Sequence, residues 1–128
     1  QMNKTIEEIN SEENNMYTLN GLVSLVRQWA YARNLVAGST SQAQLNKLVE
    51  EMGEMATGIN KKLPDTFKDG LGDMLVVMII LAEQNQTSLK ECLAIAYNEI
   101  KDRKGKMVDG IFIKENDQDI NSIPVKAT

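Results

Sequence analysis

The chain of 128 residues contains no histidine, one cysteine and two prolines, and aromatic residues make up only 5% of it. Without histidine, zinc sites built on imidazole and nucleophiles activated by histidine are excluded. A single cysteine excludes a disulfide framework within the chain and fits a reducing compartment, so we expect a cytoplasmic protein. Any chemistry must therefore use carboxylate, ammonium and guanidinium groups, or a bound metal ion.

The chain also lacks a basic run and a long apolar run. Its net charge is −4, and a protein that binds a nucleic-acid polymer would need a face of lysine and arginine. The longest apolar run, Met74 to Ala82, is about half of what spans a bilayer, so we expect no membrane insertion. Apolar residues at 42% can still form a core, which should be aliphatic and rich in methionine.

Helical spacing of apolar residues predicts one all-α domain over residues 18–115. Its four main helices are expected at about 19–35, 42–62, 65–84 and 88–104. A β-hairpin about Asp109-Gly110 should follow, between a polar arm at 1–17 and a loose polar tail at 116–128. The third helix should be buried nearly all round, so the expected fold is a four-helix bundle completed by homo-oligomerisation.

Carboxylates interrupt the apolar pattern of the second and third helices. The apolar stripe predicted for the second helix consists of Leu45, Leu48, Val49, Met52, Met55, Ala56 and Ile59. At about 100° per residue, Glu51 lies on the shoulder of this stripe with Glu54 beside it, and Glu50 faces solvent. Asp69 and Asp73 line one face of the third helix. Hard oxygen donors on two antiparallel helices suit Mg²⁺, with Mn²⁺ as a substitute, so a site of Glu51, Glu54, Asp69 and Asp73 is expected.

Each candidate residue also has a simpler explanation. An E-x-x-E pair alone is more often a solvated helix face, and Asp69 could serve only the dipole of its helix. Lys47, four residues before Glu51, could form a weak helical ion pair with it or contact a substrate. Trp29 lies on an apolar stripe, where packing in a core or a dimer contact competes with stacking on a ligand.

The motifs EEMGE (50–54) and DGLGDMLV (69–76), in this order and with a short loop between them, resemble the MazG-like branch of the all-α nucleoside triphosphate pyrophosphohydrolases. The segments VRQWAYARNL (26–35) and NEIKDRKGKMVDGIFIKE (98–115) are similar to small phage- and Gram-positive-type members. The resemblance covers about residues 20–115. It implies a homodimer or tetramer that hydrolyses (deoxy)nucleoside triphosphates to the monophosphate and pyrophosphate with Mg²⁺, as in nucleotide-pool cleansing.

The resemblance also implies roles for single residues. The E-x-x-E of the family falls on Glu51 and Glu54, and its E-x-x-D falls on Gly70 and Asp73, so Asp69 is the nearest substitute for the missing acid. Glu51, Glu54 and Asp73 are then expected to be catalytic as well as metal-binding. The expected substrate contacts are Trp29 for the base, Asn98, Lys101, Arg103 and Lys104 for the phosphates, and Lys47.

Two other functions stay open at this point. Neighbouring families of the same superfamily hydrolyse phosphoribosyl-ATP or dUTP. Alternatively, the chain could be a non-catalytic module for nucleotide binding or dimerisation, and the glycine at position 70 is the best support for that reading.

Overall fold

The computed structural model describes residues 5–11 and 17–115, which are helical apart from one hairpin. The elements are α1 (Ile6–Ser11), α2 (Leu19–Ala32), α3 (Ser41–Asn60), α4 (Pro64–Gln84), α5 (Leu89–Ile100), β1 (Gly105–Val108) and β2 (Ile111–Lys114). The predicted helical fold with a hairpin at its end is confirmed. The predicted tail at 116–128 and much of the predicted arm lie outside the described residues. Within the described ranges, no helix is long and apolar enough to cross a membrane.

The chain divides into two compact units, Gln1–Leu89 and Lys90–Thr128. The first unit contains α2, α3 and α4, and the second contains α5 beyond its first residue together with the hairpin. In the first unit α3 and α4 are antiparallel, because Gly58 of α3 touches Phe67 near the start of α4 while Ser41 bonds Gln84 and Asn85 at its end.

The N-termini of α3 and α4 are capped in different ways. Thr40 caps α3 as expected for this residue type, with its hydroxyl accepting from the backbone N–H of Ala43 at 3.1 Å. Leu63 is the N-cap of α4 and makes no side-chain cap bond. Pro64 takes the first helical position, where its missing N–H costs nothing. The helix therefore begins one residue before the predicted start at 65, and Asp65 lies in its first turn.

Two glycines let α3 and α4 approach each other closely. A Cβ atom on Gly58 would lie 2.6 Å from the Cα of Phe67, and one on Gly70 would lie 2.7 Å from the backbone nitrogen of Met55. Gly72 makes no such approach, because a Cβ atom there would meet nothing within 4 Å.

The predicted single stripe of α3 is in fact two stripes about 100° apart. The stripe that faces α4 consists of Gln44, Leu48, Glu51, Met55 and Gly58. The second stripe lies one residue further along and is exposed: Leu45, Val49, Met52, Ala56 and Ile59. One neighbouring helix can cover only one of the two, and periodicity alone does not show which stripe it covers.

The core of the first unit is centred on α4. Its buried residues are Gly70, Met74, Val77, Ile79, Ile80 and Ala82. Within the single chain one side of α4 is uncovered, since Leu71 and Leu75 are 42% and 40% exposed. The prediction that α4 is buried nearly all round assumed a homo-oligomer and stays a prediction. From α2, Ala30 is fully buried.

A half-buried carboxylate, that of Glu83, joins α2 to the end of α4. The Arg27 guanidinium donates to Glu83 through Nε at 2.8 Å and Nη2 at 3.3 Å, and the Tyr31 hydroxyl donates to the same carboxylate at 2.7 Å. Burial alone would raise the pKa of Glu83, but the hydrogen bonds from Tyr31 and Arg27 outweigh it and lower that pKa. The bond to Glu83 in turn raises the pKa of Tyr31. This cluster fixes α2 against α4.

In the second unit, α5 ends earlier than predicted. It stops at Ile100, so the basic run at 101–104 forms a turn and the start of a connection. Gly105 opens β1 and pairs with Lys114 in an antiparallel register that continues to Val108 and Ile111. Asp109 and Gly110 have φ angles of 52° and 80°, as a two-residue hairpin turn requires. The predicted hairpin about these two residues is confirmed.

Candidate active site

The helix pair α3–α4 has two different sides. On α3, Glu51 belongs to the stripe that faces α4, and Glu54 lies about 60° further round, away from the exposed apolar stripe. On α4, Asp69 and Asp73 lie on the side opposite to Leu71 and Leu75 by the same projection. The carboxylates of both helices therefore share one side of the pair.

Glu51 is the buried acid of this side. The residue is only 7% exposed, whereas the sequence predicted it on the shoulder of a stripe. The Lys47 ammonium lies 3.5 Å from a Glu51 carboxylate oxygen and 3.9 Å from an oxygen of Glu50. The expected ion pair with Glu51 thus forms, while the Glu50 side chain is 71% exposed, as predicted.

Asp73 connects the acids of the two helices. Its side chain is half-buried on α4. Burial raises the pKa of Asp73, and the negative charges of Asp69 and Glu51 raise it further, against an opposing effect of Lys47. Three carboxylates from two helices therefore share one electrostatic environment with one nearby ammonium group, and protonation or a bound cation would relieve their mutual repulsion.

Glu54 and Asp69 are exposed. The contacts of Gly58 with Phe67 and of Gly70 with Met55 set the register of the two helices. By that register Glu54 lies level with the stretch between Asp69 and Asp73. Within residues 5–11 and 17–115, however, no three acidic or thiol side chains converge closely enough to hold a metal ion. The donors line one side without forming a closed cage.

Position 70 has no room for a side chain. The backbone atoms of Met55 lie 2.7 Å and 2.9 Å from where a Cβ atom would be. An acid at this position would therefore require α3 and α4 to separate. Asp69, one residue earlier and exposed, has the space that position 70 lacks.

Trp29 is not brought next to the carboxylates. It lies about 180° round α2 from Arg27 and Tyr31, which face Glu83. Trp29 itself is 41% exposed. Glu83 itself is about 15 Å along α4 from Asp73. The Arg33 guanidinium stacks 5.1 Å from the Trp29 ring centroid, so this indole already has a cationic neighbour. Of the alternatives for Trp29, a position in the core is therefore not observed within this chain.

The second unit contains a charged cleft of about 510 Å³. Among the expected phosphate-binding residues, Arg103 and Lys104 line it, while Asn98 and Lys101 do not. Sequence reasoning missed Lys114, which lines the same cleft; its pairing with Gly105 at the open end of the hairpin was the available signal. The other residues that line the cleft are Glu99, Asp102 and Glu115.

Comparison with known proteins gives one family. A sequence profile of the MazG nucleotide pyrophosphohydrolase domain matches residues 39–108, a range that includes α3, α4, α5 and β1. An uncharacterized 18.2 kDa protein in the rep-hol intergenic region of Haemophilus phage HP1 is 51% identical over 70 residues. That similarity covers 55% of this chain and 43% of the phage protein, so the chain spans less than half of its relative. No solved structure matches the chain.

Proposed function

Because this chain belongs to the MazG nucleotide pyrophosphohydrolase family, we propose that it hydrolyses nucleoside or deoxynucleoside triphosphates to the monophosphate and pyrophosphate. The reaction depends on Mg²⁺, for which Mn²⁺ can substitute, and serves to cleanse the nucleotide pool. The observation that carries the proposal is the position of Asp73, half-buried where the charges of Asp69 and Glu51 reach it. Carboxylates crowded in this way provide the negative charge that a divalent cation requires.

The donor set fits Mg²⁺ in its chemistry. All four candidate groups are carboxylates, and the raised pKa of Asp73 reflects burial and like-charge repulsion that a cation would remove. Glu51, Glu54, Asp69 and Asp73 would hold the ion, and the exposed side chains of Glu54 and Asp69 are free of the helix contact and can rotate toward it. When bound, Mg²⁺ supplies neutralisation of phosphate charge and a more acidic water.

The carboxylates also supply the base. A carboxylate oxygen of Glu51, Glu54 or Asp73 accepts a proton from the water that attacks the α-phosphorus. As the new phosphorus–oxygen bond forms, the bond from the α-phosphorus to its bridging oxygen breaks, and pyrophosphate leaves with that oxygen. Lys47, which is 54% exposed beside Glu51, can turn its ammonium toward a phosphate oxygen of the substrate.

We also propose substrate contacts for residues outside the carboxylate cluster. Trp29 offers a partly exposed indole for stacking on the base. For the phosphates we propose Arg103 and Lys104, supported by their shared cleft with Lys114. The other proposed phosphate contacts are Asn98 and Lys101. A homodimer or tetramer is proposed as the working assembly.

Pyrophosphate release from a panel of (deoxy)nucleoside triphosphates with Mg²⁺ or Mn²⁺ tests the proposal. We expect release by the wild-type protein and a loss on the order of 100-fold or more in Glu54→Gln and Asp73→Asn. Glu50→Gln is the matched control, since it removes a neighbouring charge that faces solvent, and it should retain activity. A folded wild-type protein that releases no pyrophosphate from any substrate and metal would contradict the proposal.

Other functions of the same fold remain testable. Product analysis after incubation with phosphoribosyl-ATP or dUTP distinguishes the neighbouring hydrolases. The glycine at position 70, packed against Met55 where the family has an acid, favours a non-catalytic nucleotide-binding or dimerisation module as the second candidate. Calorimetry that detects tight nucleotide binding without turnover would support that module.

A further inference from the structure

Lys47 is the counter-ion that the protein itself supplies to the carboxylates of the helix pair. Its ammonium lies 3.5 Å from a carboxylate oxygen of Glu51 and 3.9 Å from one of Glu50. Its charge also reaches α4, where it opposes the rise that burial and the neighbouring acids cause in the pKa of Asp73. Within residues 5–11 and 17–115, no other ammonium or guanidinium group forms an ion pair with these carboxylates. Lys47 therefore takes the electrostatic place of a bound cation.

The two partners of the ion pair differ in their freedom to move. Glu51 faces α4 and only 10% of its side chain is exposed, whereas 54% of the Lys47 side chain is exposed. An ion pair with an exposed lysine is weak, and the four-carbon stem of lysine is flexible. A cation that approaches Glu51 therefore meets a carboxylate that stays in place and an ammonium group that can leave.

Stabilisation of α3 is a poor explanation for this ion pair. Lys47 precedes Glu51 by four residues, and the opposite order, with the glutamate first, is the one that stabilises a helix better. The second acid near the ammonium, Glu50, has a side chain that is 71% exposed, and the separation of 3.9 Å is long. The arrangement instead suits an ammonium group that exchanges one partner for another.

A nucleotide provides the second partner. When a divalent cation binds beside Glu51 without a nucleotide, the displaced ammonium repels it. When a triphosphate is present, the ammonium can pair with a phosphate oxygen, so its charge favours the complex. The same side chain therefore weakens binding of the cation alone and strengthens binding of the cation together with the nucleotide.

We propose that Lys47 couples the binding of the divalent cation to the binding of the nucleotide. In the free protein it pairs with Glu51 and keeps the affinity for the cation low, and in the complex it pairs with the phosphates instead. By linkage, the nucleotide raises the affinity for the cation by the same factor as the cation raises the affinity for the nucleotide. The inference rests on the proposed function, since it requires the carboxylates to hold a cation beside a triphosphate.

Binding measurements without turnover test the coupling. Electron paramagnetic resonance of free Mn²⁺ gives the affinity of the full chain for the ion alone. Calorimetry uses the α,β-imido analogues of dATP, dCTP, dGTP and dUTP, in which nitrogen replaces the bridging oxygen of the bond that would break. The coupling factor is the ratio of the analogue's affinities with saturating Mg²⁺ and with a chelator. Binding of Mg²⁺ to the analogue in solution is the same for every variant and cancels when variants are compared.

Lys47→Gln should bind Mn²⁺ alone about threefold or more tightly than wild type, because the competing ammonium is gone. Its coupling factor should be smaller by about tenfold or more, because the phosphates lose their charged partner. Lys47→Arg keeps the positive charge and should retain the low affinity for Mn²⁺ alone.

Lys61→Gln is the matched control. Lys61 lies seven residues after Glu54, as Lys47 lies seven residues before it, so helical steps place both lysines on the same side of α3. Within the described part of the chain Lys61 forms no ion pair. Its loss should therefore change the affinity for Mn²⁺ by less than about twofold.

The outcomes separate this inference from the proposed function. A Lys47→Gln protein with unchanged or weaker affinity for Mn²⁺, or with an unchanged coupling factor, would overturn the coupling and leave the proposed function intact. An equal change in Lys61→Gln would also overturn it, because net charge alone would then explain the effect. A folded wild-type protein that binds Mn²⁺ neither alone nor with an analogue would contradict the proposed function itself, and this inference with it.

Discussion

Replacing Gly70 by alanine tests the register on which the arrangement of the carboxylates depends. The added Cβ atom would lie 2.7 Å from the Met55 nitrogen and 2.9 Å from its Cα, whereas ordinary contacts of this kind are about 3.5–4.0 Å. Both neighbours are backbone atoms of a helix, so no side-chain rotation can relieve the clash. The helices must therefore separate by about 1 Å, which overpacking studies associate with a cost of about 1–3 kcal/mol.

Gly72 provides the matched control on the same helix. It is exposed and a Cβ atom there would meet nothing within 4 Å. Gly72→Ala should therefore gain only the helix propensity of alanine, about 1 kcal/mol. Gly70→Ala gains the same propensity but also suffers the clash, so it should be about 1–3 kcal/mol less stable than Gly72→Ala and up to about 2 kcal/mol less stable than wild type.

Urea unfolding followed by circular dichroism measures both variants. Gly70→Ala should move the midpoint to lower urea with an unchanged slope, and Gly72→Ala should move it to higher urea. The corresponding change in melting temperature for Gly70→Ala is a fall of up to about 10 °C relative to wild type. A Gly70→Ala protein as stable as Gly72→Ala would refute the contact with Met55, and with it the register that sets Glu54 level with the aspartates.

Two further predictions follow from the charged residues of the first unit. Glu83→Gln removes the ionised acceptor of Arg27 and Tyr31, so urea unfolding should show a free energy of unfolding about 2 kcal/mol lower than that of wild type. Absorbance titration of the same variant should show the pKa of Tyr31 falling toward its ordinary value. An unchanged Tyr31 titration would contradict the hydrogen bond. Because the folded state raises the pKa of Asp73, the metal-free protein loses stability as pH rises from the usual carboxyl pKa through the raised one. Asp73→Asn should therefore be more stable than wild type above that interval and equal to it below, and an advantage that persists at the acidic end would rule out this explanation.

Periodicity predicted much of the fold because several helix ends carry clear local signals. Thr40 before α3 and Pro64 at the start of α4 are local features whose effect on the backbone needs no tertiary contact. The Asp109-Gly110 turn likewise requires positive φ angles that its own residue types favour. The end of α5 was harder to predict, because the run at 101–104 contains helix formers and no stop signal before Gly105.

What the sequence could not show is which of two adjacent stripes is covered. Glu51 and Met52 are neighbours in the chain, yet Glu51 is 7% exposed and Met52 is 46% exposed. A rule that buries apolar residues and exposes charged ones would predict a buried Met52 and an exposed Glu51. The direction of the contact is set by Gly58 and Gly70, whose lack of a side chain decides where the two helices touch. Glycines at such contacts carry tertiary information that hydrophobicity does not.

Glu51 of α3 and Gly70 of α4 both depart from ordinary helix packing. They lie within about two helical turns of each other along the helix pair. A position that faces a neighbouring helix normally holds an aliphatic residue, and Glu51 gives up that stabilisation to keep an acid beside Asp73. Gly70 does the opposite, since it sacrifices helix propensity to bring the two backbones together. The close approach at Gly70 is what allows acids on α3 and α4 to share one electrostatic environment. Local conflicts with packing rules of this kind are expected where function determines the residue, and both conflicts here border the same carboxylates.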